Sequence, residues 1–308
     1  MKLAFLYAGQ GSQKPGMGRD FYELYPQIRD IFNLKPHGLD LLKLCFESDL
    51  ATLSQTQHTQ PCMGAFATAV TELLREQGVR PDLSLGLSLG EYGALYSAGV
   101  YDAETLLDLL AFRGEAMHTA AAHVESAMAA VFALEEAQVN EAIEKAEARH
   151  VWCCNFNCPG QIVIGGEKHD VNRAAEKCLE IGARRCIPLT VSGPFHTPFM
   201  EPAAEKLANK LSAAKIAPMN IPVVFNATGQ LLSAGESIPA MLERQVKSPV
   251  RFENSIRTIA ALGVDTAIEI GPGNVLSGFV KKTAPDIKIL SIEDAASFRR
   301  TIEILKGA

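Results

Sequence analysis

Leu83-Ser84-Leu85-Gly86-Leu87-Ser88-Leu89-Gly90-Glu91 decides how this chain is read. An apolar run ends in Gly-x-Ser-x-Gly, and an amphipathic segment with small residues, Tyr92 to Gly99, follows. Strand, tight turn and helix in that order make the pattern of a nucleophile elbow, which lifts one serine above the end of a parallel sheet. Gly86 and Gly90 read as positions too tight for a side chain, because the helix crosses close to neighbouring strands. Ser88 then sits at a helix N-terminus, where free N–H groups and the helix dipole stabilise a developing oxyanion.

The rest of the chain provides room for such a site. Its 308 residues suffice for one large domain with an insertion, or for two domains. With 47% hydrophobic and 21% charged residues it can bury a sizeable core. A net charge of −6, with no Lys/Arg block interleaved with aromatics, argues against a nucleic-acid surface. No apolar stretch reaches the length of a membrane span, and Met1-Lys2 leads directly into a strand-like run rather than a leader. Seven cysteines, an odd number without paired metal spacing, sit mostly in apolar segments as free thiols of a reducing cytoplasm would. Cytoplasmic location and no metal are therefore expected.

Outward from the elbow, residues 2–8 read as a buried strand closed by Gly9 and Gly11, with helices over 19–33, 39–47 and 60–77. The elbow strand covers 82–87, and helices follow at 89–98 and 103–120, the second opened by Asp102. Between about 124 and 190 the rhythm changes to strand 127–134, helix 135–148, strands 150–157 and 161–166, helix 168–181 and strand 184–190. That β-α-β-β-α-β order is ferredoxin-like. It reads as an insertion, residues 124–190, in a larger α/β domain formed by 1–123 and 191–308, whose alternation resumes with strands at 222–226 and 265–270.

A serine hydroxyl needs a base to take its proton. Of the seven histidines, six lie in helical stretches or at polar segment edges. His196 differs: it sits in Val191-Ser192-Gly193-Pro194-Phe195-His196-Thr197-Pro198, held between prolines after the last strand of the insertion. No Asp or Glu stands between Ser88 and His196 where a hydrolase triad needs one, since Asp102, Asp108 and Asp170 read as helix caps or helix-surface residues. A backbone carbonyl or an amide is then left to orient the histidine, giving a Ser-His dyad. Gly9-Gln10-Gly11-Ser12-Gln13 forms a second glycine turn able to offer a backbone N–H beside that of Leu89. It lacks the Gly-Lys-Ser/Thr ending of a phosphate loop.

Seven motifs now stand in one order: Gly9-Gln10-Gly11-Ser12-Gln13, Gly86-x-Ser88-Leu89-Gly90-Glu91, Arg113-Gly114, Asn157-Cys158-Pro159-Gly160-Gln161, Gly193-Pro194-Phe195-His196, Gln245-Val246-Lys247-Ser248-Pro249-Val250 and Glu269-Ile270-Gly271-Pro272-Gly273. Over essentially the whole chain they resemble the malonyl-CoA:acyl-carrier-protein transacylases. The resemblance implies a hydrolase-like parallel-sheet α/β domain with an inserted ferredoxin-like subdomain, in agreement with the strand order.

It also implies roles. Ser88 matches the nucleophile that carries malonyl as an ester, and His196 its general base and later general acid. Gln10 and Leu89 match the backbone oxyanion donors, and Gln245 the residue whose main-chain carbonyl orients the histidine. Arg113 matches the arginine that pairs with the free carboxylate of malonyl; its planar fork selects a dicarboxylic acyl group. Asn157 and Phe195 fall in the substrate-binding motifs. Leu89 and Phe195 match the malonyl-preferring pattern, Phe195 leaving less room for a branch methyl, a discrimination worth only about 1–3 kcal/mol. The family's usual His before the nucleophile is Leu87 here, and the usual Pro of the first motif is Ala8.

The implied partners are malonyl-CoA and acyl carrier protein, with no cofactor and a monomeric enzyme. Lys168, Arg184, Arg185, Lys281 and Lys282 are candidate contacts for the acidic carrier and the nucleotide. A thioesterase on the same scaffold would use the same Ser88-His196 pair with water as acceptor, though Arg113 has no use in a fatty-acyl pocket. A free-standing polyketide acyltransferase shares every motif named. A non-catalytic carrier-binding module has no need of Ser88, His196 and Arg113 together.

Overall fold

The computed structural model describes residues 1–307. Six strands come first along the chain: β1 (Leu3–Tyr7), β2 (Leu83–Gly86), β3 (Ser126–Phe132), β4 (Val151–Cys158), β5 (Gln161–Glu167) and β6 (Arg185–Pro188). Four more follow: β7 (Val223–Phe225), β8 (Gln230–Leu231), β9 (Thr266–Ile270) and β10 (Lys288–Ile292). They form two sheets, one ordered β10-β9-β1-β2-β7-β8 and the other β4-β5-β3-β6.

In the six-stranded sheet every pairing is parallel except the β7–β8 hairpin at its edge. The central strands β1, β2 and β9 are buried throughout, which is why they read as continuous apolar runs rather than as alternation. Their register aligns Tyr7 with both Gly86 and Ile270, so all three strands end at one level. The turns after β1, β2, β7 and β9 therefore gather at the carboxyl edge, the usual ligand side of a parallel sheet. The elbow turn leaves that edge through a close crossing. A Cβ on Gly86 would lie 2.0 Å from the Gly90 carbonyl carbon, and one on Gly90 would lie 2.2 Å from the Tyr7 carbonyl oxygen. Both glycines are thus where the sequence reading required them.

The second sheet is antiparallel. With helices Glu136–Lys145 and Lys168–Glu180 it follows the chain as β-α-β-β-α-β, and its spatial order is that of a ferredoxin-like module. Val139, Ala142, Val171, Ala174 and Cys178 from the helices share a core with Val131, Ile162 and Ile164 of the sheet. Met128, Ala130, Cys154 and Val163 point the other way and join the principal core of the large layer. Two backbone bonds, Phe156 N–H to the Val250 carbonyl and Val250 N–H to the Cys154 carbonyl, each 2.8 Å, tie β4 to the segment before helix Phe252–Ala261.

Four details depart from the sequence reading. The helix expected over 19–33 is two pieces, Arg19–Leu24 and Arg29–Asn33, separated by a 3-10 turn at Pro26–Ile28. Pro26 pushes Tyr25 out of the helical region (φ −125, ψ 87). The helix expected from 60 begins at Thr56, so Pro61 lies inside it rather than at its start. β8 and β10 carried no strand signal: one has two residues, and the other is a short, half-buried edge. No described helix is long and apolar enough to cross a membrane.

Candidate active site

Ser88 stands between β2 and helix Gly90–Ser97 with φ 53, in the left-handed region that non-glycine residues rarely adopt. His196 is likewise left-handed, with φ 63, on the loop before the Pro198–Met200 turn. Two such residues meeting at one point mark a place where surrounding bonds hold strain. Ser88 Oγ lies 2.8 Å from His196 Nε2, and His196 Nδ1 lies 2.8 Å from the Gln245 carbonyl oxygen. A carbonyl can only accept, so Nδ1 carries the proton and the neutral ring presents Nε2 as acceptor to the serine. No carboxylate takes part.

His196 is buried, and that burial, reinforced by the nearby Arg113 charge, lowers its pKa to about 4, while its backbone hydrogen bonds oppose the shift. The ring is therefore neutral over the physiological range.

Arg113 is 1% exposed, on helix Ala103–Ala121. Gly114 beside it lets that helix approach helix Thr56–Glu76: a Cβ there would lie 2.8 Å from Gln57 Cα and from the Thr56 carbonyl oxygen. The guanidinium donates from Nη1 to Gln60 Oε1 at 2.6 Å, and from Nη2 to Gln245 Oε1 at 2.9 Å and Ser88 Oγ at 3.2 Å. It lies 5.6 Å from the Tyr92 ring centroid, and its Nε–H has no partner. No described carboxylate forms a salt bridge to it. Glu91 is near but fully buried, and desolvation lifts its pKa to about 8, which favours its neutral form. A buried guanidinium solvated by amides and an aromatic face is an unbalanced positive charge, and burial draws its own pKa down.

Ser88, His196 and Arg113 line one cavity of about 140 Å³ with Gln10, Asn157 and Phe195. Its remaining wall is largely apolar, including Met117, Met128, Val163, Leu189 and Val191. Asn157 Oδ1 is buried there without a partner. Leu87 also lines the cavity and packs against a further apolar cluster that includes Leu85, Val224 and Phe252, so the position before the nucleophile is apolar. The side chain of Leu89 lies in the principal core and does not line the cavity, leaving Phe195 as the wall of the pair read as size-selecting. The N–H groups of Gln10 and Leu89 donate to no acceptor among the described residues. None of Lys168, Arg184, Arg185, Lys281 and Lys282 lines the cavity; Lys168 pairs with Glu125, and Arg185 lies over the Phe132 ring.

Three polar residues of the site escaped the sequence reading. Gln60 holds Arg113, and its Nε2 donates to Thr56 Oγ1 at 3.0 Å; Thr56 in turn donates to Gln10 Oε1 at 2.8 Å. This chain links the guanidinium to the first glycine turn. Gln60, the last of the polar residues that open an otherwise Ala-rich apolar helix, carried no stronger signal. Asn226, at the end of β7, accepts from the Ser88 N–H at 2.6 Å and donates from Nδ2 to the Gly86 carbonyl at 2.7 Å. Away from the cavity, His150, Glu167 and Asp170 bring ligand-type atoms within 4.8 Å of one another, although Asp170 already accepts from the His150 N–H.

Residues 4–300 match the acyl transferase domain family. A Bacillus subtilis malonyl CoA-acyl carrier protein transacylase is 41% identical over 99% of this chain and 98% of its own length. The crystal structure of a Clostridium perfringens protein of the same name superposes with a TM-score of 0.94 at 40% identity, covering 99% of this chain and 98% of that one. A malonyl-transacylase solved with its type II PKS acyl-carrier protein gives a TM-score of 0.94 at 35% identity, covering 99% and 100%.

Proposed function

The chain belongs to the acyl transferase domain family, as one of its malonyl CoA-acyl carrier protein transacylases, and from that premise we infer that it moves malonyl from coenzyme A to acyl carrier protein for fatty-acid synthesis. The observation that carries the reading to the acyl group is Arg113: a buried, unbalanced cation within 3.2 Å of Ser88 Oγ. An acyl chain ending in a carboxylate neutralises it, whereas an acetyl or fatty-acyl chain leaves it unpaired.

Ser88 Oγ attacks the thioester carbonyl carbon and its proton passes to His196 Nε2. The oxyanion of the tetrahedral intermediate accepts from the free N–H groups of Gln10 and Leu89. The carbon–sulfur bond breaks, His196 returns the proton to the departing sulfur, and malonyl remains as an ester on Ser88. The phosphopantetheine thiol of the carrier then attacks that ester, gives its proton to His196, and Ser88 leaves with the proton restored. Gln245 joins the parts through its carbonyl to His196, its Oε1 to Arg113 and its Nε2 to the Ser88 carbonyl at 2.9 Å. Phe195 bounds the acyl cavity, and Asn157 Oδ1 offers it an acceptor.

The sequence as balanced calls on no cofactor. The free cysteines fit a reducing cytoplasm. A fatty-acyl hydrolase, the competing use of the same dyad, gains nothing from a buried cation in its acyl pocket. Arg113→Ala tests the reading: malonyl transfer to carrier protein should fall at least about 100-fold, in line with a charged hydrogen-bonded pair of about 3 kcal/mol, while acetyl transfer falls less than tenfold. Equal losses on both donors would contradict the carboxylate role.

A further inference from the structure

The left-handed Ser88 is held by more than its dyad. Asn226 Oδ1 accepts from the Ser88 N–H and Asn226 Nδ2 donates to the Gly86 carbonyl, at 2.6 and 2.7 Å, so one amide spans the elbow across Leu87, directly before the nucleophile. The Asn226 N–H donates to Glu91 Oε2 at 2.6 Å, from the first turn of the elbow helix. Asn226 and Glu91 are both fully buried. Three polar groups of the elbow thus meet one residue just past the end of β7.

We propose that Asn226 is the positioning residue of the nucleophile elbow: its amide fixes the strained Ser88 backbone, and with it the aim of Ser88 Oγ at His196 and of the Leu89 N–H at the oxyanion. This rests on Ser88 being the nucleophile. Both faces of the amide are required, one to accept and one to donate. Aspartate keeps the acceptor for Ser88 but sets a second oxygen against the Gly86 carbonyl. Protonated aspartic acid restores an O–H donor there.

Asn226→Asp and Asn226→Ser test this, with the neutral Ser variant able to fill only part of the grip. Both should lower kcat for malonyl transfer about 100-fold, the scale expected for reacting groups misplaced by an ångström, with KM for malonyl-CoA changed less than threefold. The Asp variant should recover at least tenfold relative to wild type as pH falls from 8 to 5.5, and the Ser variant should not. The other titratable groups facing this point are Glu91, Arg113 and His196; Glu91, bonded to the Asn226 N–H, couples to an aspartate at 226, and the Ser variant, which adds no charge, gives their response alone. Rates are referred to the folded fraction measured by circular dichroism at each pH, which separates aim from stability. A kcat within threefold of wild type, or an Asp profile parallel to that of wild type, overturns the proposal. The nucleophile reading is checked separately by Ser88→Ala: an adduct persisting there would sink that reading, whereas the Asn226 outcomes bear on positioning alone.

Discussion

At His196 two effects compete, and their sizes decide how the dyad behaves. Burial and the Arg113 charge disfavour the imidazolium, and backbone hydrogen bonds favour it; the first pair prevails, bringing the pKa to about 4. A histidine with a lowered pKa keeps its basic form above that value and loses it as pH falls through it. The rate of Ser88 acylation by malonyl-CoA should thus be flat from about pH 7.5 down to about 5.5 and fall with a midpoint near 4, followed by rapid-quench mass analysis. A midpoint near 6.5, that of an ordinary histidine, would mean that Arg113 and burial do not act on the ring as described. The arrangement has a chemical consequence: a base of such low pKa suits a proton that is handed over and returned within one transfer.

Among the elements, the elbow helix has the least freedom. It crosses β1 where a Cβ on Gly90 would meet three backbone atoms within 2.9 Å, two of Tyr7 and one of Ala8. Backbone cannot step aside as a side-chain end can. Gly90→Ala should destabilise the protein by about 3 kcal/mol or more in urea unfolding, with acylation lost in whatever fraction stays folded. A loss under about 1 kcal/mol would show that the crossing is looser than the distances say. Elements like this one were legible because their constraint is local: Gly-x-Ser-x-Gly after an apolar run specifies strand, turn and helix within nine residues. Likewise the β-α-β-β-α-β order of the inserted sheet could be read from alternation alone. β10 could not be, since its half-buried edge position depends on pairing with β9. The break at Pro26 was written in the sequence but outvoted by the apolar spacing on either side of it.

The whole molecule explains why part of the site was hidden. Its cavity forms where the carboxyl edge of the large sheet faces the inserted sheet, with Gln10 and Ser88 from one side and Met128, Asn157 and Val163 from the other. Residues with unusual chemistry in short motifs, such as Ser88, His196 and Arg113, announced themselves. Gln60 and Asn226 are ordinary amides in apolar surroundings, joined to the site over sequence separations of 53 and 138 residues. Only the packing of helix Thr56–Glu76 against Gly114, and of β7 beside β2, reveals what they hold. The same assembly makes one covalent species the centre of the account, a malonyl ester on Ser88 that waits for a thiol. Intact-mass measurement after mixing with malonyl-CoA tests it most directly. One malonyl adduct should form on the wild-type chain, be absent in Ser88→Ala, and pass to holo acyl carrier protein when that is added. Rapid appearance of free malonate without carrier, or an adduct that survives in Ser88→Ala, would contradict it.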